Sequence, residues 1–242
     1  MLRLPTFAPS AATPAGGPCC GPERAKVAPL PGGEREDAVE LLRRFEEEHE
    51  LIDRVAGALF RWAEEGGEPA DAGTFARFLA VYAAGFHHRR EDELLVPVLV
   101  RELEVPANRG PIMVIQEEHR TLERLTAELA DTGDPAVARR IARILWEHID
   151  KENSVLFPEA EERLRRAGVL EIPDRPTTAE EESARRLGED LVRRHPPMED
   201  PHHVRGEGCI ICSAYAETCH GIEAEWWNQW EWEDHLGHSH EG

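Results

Sequence analysis

Aromatic side chains are scarce in this chain: they make up 6% of its 242 residues, while hydrophobic residues of all kinds reach 40%. With Ala, Glu, Leu and Arg prominent and 31% of residues charged, such a composition favours helices over sheets. No run of 18 apolar residues occurs, so a membrane-spanning helix is not expected. Positive charge is also short, with 28 Lys and Arg against 48 Asp and Glu and a formal net charge of -20. A nucleic acid or an anionic membrane is therefore not an expected partner, because phosphate binding needs a basic surface. The opening MLRLPTFAPSAATPAGGP has no continuous apolar stretch of signal-peptide length, and the expected location is cytoplasmic. Cysteine is absent from the long middle of the chain: Cys19 and Cys20 stand near one end, Cys209, Cys212 and Cys219 near the other. No disulfide framework is expected to hold the main core.

What remains is enough for one sizeable core with tails, or for two small domains. Residues 1–34 are rich in Pro, Gly and Ala with little periodicity and read as a disordered lead. From about residue 36 to 65, Val39, Leu42, Phe45, His49, Ile52, Ala56 and Leu59 form a helical stripe. EEGGEPADAG breaks it, and a second helix is predicted from about 72 to 95, with Pro97 kinking or ending it. After PANRGP a third runs through Ile112, Ile115, His119, Leu122, Leu125 and Leu129. A fourth, predicted over about 135–166, starts at Asp134 as N-cap and Pro135 as first helical residue. Four amphipathic helices with short loops imply an all-α, up-down-up-down four-helix bundle over residues 35–168. EIPDRP ends that domain. A polar helix over about 177–194 and a linker fill 169–200, and 201–242 form a Cys-, His- and Trp-rich tail.

The fourth helix carries an anomaly. In WEHIDKENSVLFP, His148 and Glu152 share a stripe with Ile141, Ile144, Leu145 and Val155. An ionised carboxylate buried without a partner costs several kcal/mol, on the order of a whole domain's stability.

Internal repetition supplies the partner. EHIDKENSVLFP aligns with FHHRREDELLVP, so that His148 matches His87, Glu152 matches Glu91 and Pro158 matches Pro97. EEHELIDRVAGAL aligns with EEHRTLERLTAEL, which matches His49 to His119. The chain thus contains two copies of a helical hairpin, the first helix offering a His and the second His-x3-Glu. Residues four apart lie one turn apart on the same helical face. His87 with Glu91, and His148 with Glu152, therefore point together into the core. In an antiparallel bundle His49, His87, Glu91, His119, His148 and Glu152 can meet at one level. Two divalent cations there would each take two imidazoles and share the carboxylates, neutralising both glutamates.

Taken singly, each element has a plainer meaning. A lone His on an apolar stripe is ordinarily a satisfied core residue, and a lone His-x3-Glu ordinarily a solvated pair. Recurrence in register, on the inward stripe of both halves, is what favours metal. His88 neighbours His87, but the register against His148 places it off that stripe. On donor chemistry the site suits Fe, Mn, Zn or Co. Asp53 and Glu123, each four residues after a first-helix His, read as extra ligands, as partners of imidazole N–H groups or as surface charges, the last two being favoured.

The H…HxxxE…H…HxxxE arrangement, carried by FHHRREDELLVP, GPIMVIQEEHRTLERL and WEHIDKENSVLFP, resembles the hemerythrin-like (HHE cation-binding) domains over about residues 36–166. The resemblance implies a four-helix bundle with a non-haem di-iron centre that binds O2 or related small molecules. Oxygen-carrying hemerythrins use a further His four residues from the third-helix ligand. Here those positions are Ile115 and Glu123. That departure points away from reversible O2 carriage and toward relatives linked to sensing, to nitric oxide or peroxide chemistry and to iron–sulfur repair.

Both ends carry further signals. GPCCGP, with Cys19 and Cys20, resembles the CCG of the short domain preceding the hemerythrin-like part of iron–sulfur cluster repair proteins, without that domain's helical pattern. Cys209, Cys212, Cys219 and His220 contain one Cys-x2-Cys, half of a zinc or iron site, with a compressed second half. The tail WWNQWEWEDHLGHSHEG, with His235, His238 and His240, reads as a hydrophobic patch docking on the bundle or, less simply, as a metal-capturing tail. The leading expectation is a di-iron protein with two Fe ions that binds or processes O2, NO or peroxide, served by an electron-donor protein. A metal-binding sensor or store is the second. No nucleophile-and-base pair or substrate pocket is legible, so no substrate-specific enzyme is expected.

Overall fold

In a computed structural model, residues 34–108 and 110–202 are described. The expectations for Cys19 and Cys20, for Cys209, Cys212, Cys219 and His220, and for the Trp-rich tail lie outside the described residues.

Helix α1 (Ala38–Glu65) begins where the Asp37 side chain accepts hydrogen bonds from the amides of Val39 and Glu40, at 3.0 and 3.1 Å. It ends at Gly66 in the left-handed region, φ 68°, which glycine adopts without a Cβ clash. The second rod runs unbroken through α2 (Pro69–Phe78), a π-helical stretch π1 (Leu79–His88), a π-helical turn π2 (Glu91–Leu95) and α3 (Val96–Glu102). The third is α4 (Gly110–Thr132). The fourth joins α5 (Pro135–Lys151), the π-turn π3 (Glu152–Leu156) and α6 (Phe157–Ala167). Asp134 caps α5 as predicted, its side chain accepting from the Ala136 amide at 2.7 Å.

Pro97 does not end the second rod. Pro97 and Pro158 each lie in the first turn after a π-turn, in α3 and α6. Proline disrupts an α-helix by lacking an N–H and crowding the carbonyl four residues back. A turn whose hydrogen bonds close five residues back relieves both faults. Each π-turn opens on a glutamate of the His-x3-Glu pair, so the duplication includes the backbone irregularity.

Two apolar clusters reveal the direction of the rods. One joins Leu51–Ala63 of α1 with the early part of rod two, the late part of α4 and the early part of rod four. The other joins Ala38–Phe45 with Leu95–Leu99, Ile112, Ile115 and Leu156–Leu164. First halves and second halves alternate, which is the all-α, up-down-up-down bundle expected. Between the clusters lies one polar layer containing His49, His87, Glu91, His119, His148 and Glu152.

A short ribbon was not legible in the sequence, whereas the polar helix expected over about 177–194 is present. A two-stranded antiparallel ribbon pairs β1 (Glu34–Asp37) with β2 (Glu171–Asp174), Glu36 opposite Ile172. EIPD is thus the strand that ties the end of the fourth rod to the start of the first. Helix α7 (Ala179–Arg194), opened by a reciprocal Thr178–Glu181 capping box, packs on α1, α2 and π1. Its approach is close enough that a Cβ at Gly188 would stand 2.3 Å from Cε2 of Phe78. No helix among the described residues is long and apolar enough to cross a membrane.

Candidate metal centre

The six predicted residues converge, and all are buried: His87, His148 and Glu152 are 0% exposed and none of the others exceeds 3%. Donor atoms of His49, His87, Glu91 and Glu152 form one compact group, and those of Glu91, His119, His148 and Glu152 a second, each within 4.8 Å. Each half of the duplicated sequence therefore contributes both imidazoles of one group, and the two glutamates belong to both.

The carboxylates lie where bridges would. Glu91 Oε1 is 3.3 Å from His87 Nε2 and 4.0 Å from His49 Nε2, while its Oε2 is 3.5 Å from His119 Nε2. Glu152 Oε2 is 3.0 Å from His49 Nε2 and 3.3 Å from His148 Nε2. Two atoms each bound at about 2.1 Å to one ion, at right or tetrahedral angles, stand about 3.0–3.4 Å apart. Most of these separations match. None of them is a well-formed hydrogen bond: both oxygens of Glu91, both of Glu152, and Nε2 of His49 and of His87 lack a partner. Buried polar atoms are almost always satisfied, so the donor set fits a pair of cations between the glutamates.

Electrostatics point the same way. Burial first, then the adjacent Glu152 carboxylate, pushes the Glu91 carboxyl well above its usual range. Burial would raise Glu152 too, but His148 and His49 outweigh it and hold it low. Without metal, a proton on Glu91 relieves the repulsion between the two. Burial, followed by the neighbouring imidazoles, holds His87 well below the ordinary histidine range, which keeps its imidazole neutral, the form that can ligate a metal.

The remaining nitrogens are held by a shell that the sequence reading did not assign. His87 Nδ1 meets Glu48 Oε2 at 2.8 Å, and Arg90 Nη1 donates to the other oxygen of Glu48 at 2.6 Å. In the second half His148 Nδ1 meets Glu118 Oε2 at 3.1 Å, and Lys151 pairs with Glu118. Across the halves, His119 Nδ1 meets Asp92 Oδ2 at 3.1 Å and His49 Nδ1 meets Asn153 Oδ1 at 2.7 Å. Glu48 and Glu118, Arg90 and Lys151, and Asp92 and Asn153 are matched positions of the repeat. The signal was present in register, one residue beside the ligands. Such acceptors fix the imidazole tautomer and leave Nε2 for the ion. Asp53 and Glu123 fall outside both groups, Glu123 being exposed.

His88 corrects an expectation. It is not off the inward face but 3% exposed, stacked on His119 at 4.2 Å and 5.1 Å from His148. An α-helical register misplaces it because π1 closes its hydrogen bonds five residues back, so successive residues turn through a smaller angle. Gly85 permits this wide turn: a Cβ there would lie 2.9 Å from the Ala80 carbonyl oxygen. His88 also lines a groove of about 730 Å³ between rod two and α4, alongside Ala84, Gly85, Asp92, Thr126 and Ala127.

Among known proteins, the family model for the hemerythrin HHE cation-binding domain matches residues 36–160. No curated protein and no solved structure matches the chain. The matched span covers the four rods almost entirely and all six converging residues, and this chain belongs to the hemerythrin HHE cation-binding domain family.

Proposed function

We propose that the protein holds two iron ions in its polar layer and uses them to bind or process O2, NO or peroxide. The observation that carries this reading is the set of partnerless Glu91 and Glu152 oxygens, buried between four imidazoles whose other nitrogens are already held. Iron in such a site supplies ligand-binding positions and one-electron redox chemistry. His49 and His87 would hold one ion and His119 and His148 the other, with Glu91 and Glu152 available to both. Glu48, Glu118, Asp92 and Asn153 keep the imidazoles aimed. The flanking apolar clusters exclude bulk water from the layer. A reducing partner protein would restore the ferrous state after oxidation.

A second reading, a metal-binding sensor or store, draws support from the Cys- and His-bearing ends of the sequence, which lie outside the described residues.

Metal analysis of the full chain, beside a chain ending at His202, tests the centre. Two ions should remain after the tail is removed; a cut nearer Ala167 would take Asp174 from Arg90 and confuse the result. The iron-loaded protein is then exposed to O2, NO or peroxide. New charge-transfer absorption with consumption of the added molecule supports processing, and absorption alone supports sensing. A colourless protein that retains only zinc would refute the redox reading.

A further inference from the structure

The histidine layer contains one imidazole more than the family pattern accounts for. Both ring nitrogens of His88 are buried and neither has a partner. Its counterpart in the repeat is Ile149, also buried, so a side chain at this position can pack without any polar atom. An imidazole here carries a desolvation cost that an isoleucine would not. Donor atoms of His88, His119 and His148 lie within 4.8 Å of one another, a third group beside the two already described.

Stacking decides how His88 could take part. Its ring lies 11° from parallel to that of His119. Two rings bound in their own planes to one ion have planes that meet at that ion, so a parallel stack cannot ligate through both rings. His119 is fixed, with Nδ1 against Asp92 and Nε2 at 3.2 Å from His148 Nε2. His88 has no hydrogen bond to break on turning. It is also the point at which the groove reaches the layer.

We propose that His88 is an exchangeable seventh ligand: turned off its stack it binds the ion held by His119 and His148, and turned back it opens that ion to a small molecule arriving through the groove. The two ions are then unequal, one with three imidazoles available and the other with two. The imidazole absent from the third helix, where Ile115 stands, is supplied by the second. This rests on the two-metal reading above.

The test compares the full-length wild type with His88→Phe, which keeps the stack and the burial but cannot ligate. Zinc or cobalt affinity is measured by chelator competition, azide affinity on the iron-loaded protein by absorbance, and folding by circular dichroism and metal-free melting. His88→Phe should melt higher without metal, because two orphaned nitrogens are gone. It should bind one of its two ions at least roughly tenfold more weakly and take azide more tightly. His88→Gln, similar in size and polar but a poor ligand, should show the same metal and azide changes if Phe does not fit. A wild type that takes up no ion pair would overturn the two-metal reading and this one with it. A wild type that binds two ions, with both variants matching its metal and azide affinities within about twofold, would overturn this inference alone.

Discussion

Glu48→Ala would separate the role of the surrounding acceptors from that of the ligands. Glu48 joins three things: the His87 imidazole at 2.8 Å, the Arg90 guanidinium at 2.6 Å and, through Arg90, Asp174 of the ribbon, which Arg90 binds twice at 3.0 and 2.8 Å. Deleting the carboxylate frees His87 Nδ1 to choose the wrong tautomer. Loss of such an acceptor lowers metal affinity by about 10–100-fold, or about 1.4–2.7 kcal/mol. Stability should fall less than for a fully stranded charge. Arg90 is 3% exposed, yet it keeps both Asp174 oxygens and sits over the Phe45 and Phe86 rings at 5.0 and 4.6 Å. That places the cost at about 1–3 kcal/mol rather than the 3–5 of a buried charge left alone. Only the ion at His49 and His87 should weaken. Glu118→Ala, at the matched position, should weaken only the ion at His119 and His148. Glu48→Gln, which still accepts from His87, should lose less than about tenfold. Stepwise metal titration against a chelator, read beside urea unfolding of the metal-free forms, measures both quantities. Equal weakening of both ions by either variant, or no weakening at all, would refute the assignment of acceptors to separate ions.

Three further outcomes follow from the same geometry. Glu91→Met removes a buried carboxyl that burial and the Glu152 charge push well above its usual range, so the metal-free protein should gain about 1–3 kcal/mol of stability while uptake of the ion pair is lost; a stabilised variant that still binds two ions would count against the bridging role. Metal-free stability should fall as the solution is acidified from about pH 6.5 to 4.5. His87 and His88 are depressed by burial and the adjoining imidazoles, so unfolding takes up a proton at each below about pH 6.5, whereas Glu91, raised by burial and Glu152, gives one up above about 4.5. A net uptake of up to one proton, offset toward pH 4.5 by Glu48 and Glu36, which burial also raises, predicts a slope of at most about 1.4 kcal/mol per pH unit, and a flat profile of urea midpoints across that window would contradict it. Gly188→Ala gains up to about 1 kcal/mol of helix propensity but places a Cβ 2.3 Å from Phe78. Overpacking of about 1–3 kcal/mol should win, and the melting temperature should fall.

How much of this was legible depended on how local each feature is. His87 with Glu91, and His148 with Glu152, share a face because residues four apart always do on a helix, so spacing alone exposed them. Duplication then supplied His49 and His119, since a pattern repeated in register seldom arises on a solvated face. The same repeat held Glu48, Glu118, Asp92 and Asn153, but acidic residues beside a ligand look like any exposed charge until a partner is seen. Four-residue strands such as EIPD have too little periodicity to read at all. His88 was misplaced because a π-helical backbone changes the angular step, and the side chains do not announce it.

By itself, then, the sequence determined the helices, their number, the side-chain types of the polar layer and the turn-by-turn pairing of each His with its Glu, all of which follow from contacts within a few residues. Tertiary structure alone decided which imidazoles group together, which carboxylate oxygens lie between the two groups, and that His88 faces the layer. Those contacts join residues as far apart as His49 and Asn153, 104 positions along the chain. Their geometry is set by how four rods pack against one another, which the spacing within any single rod does not specify.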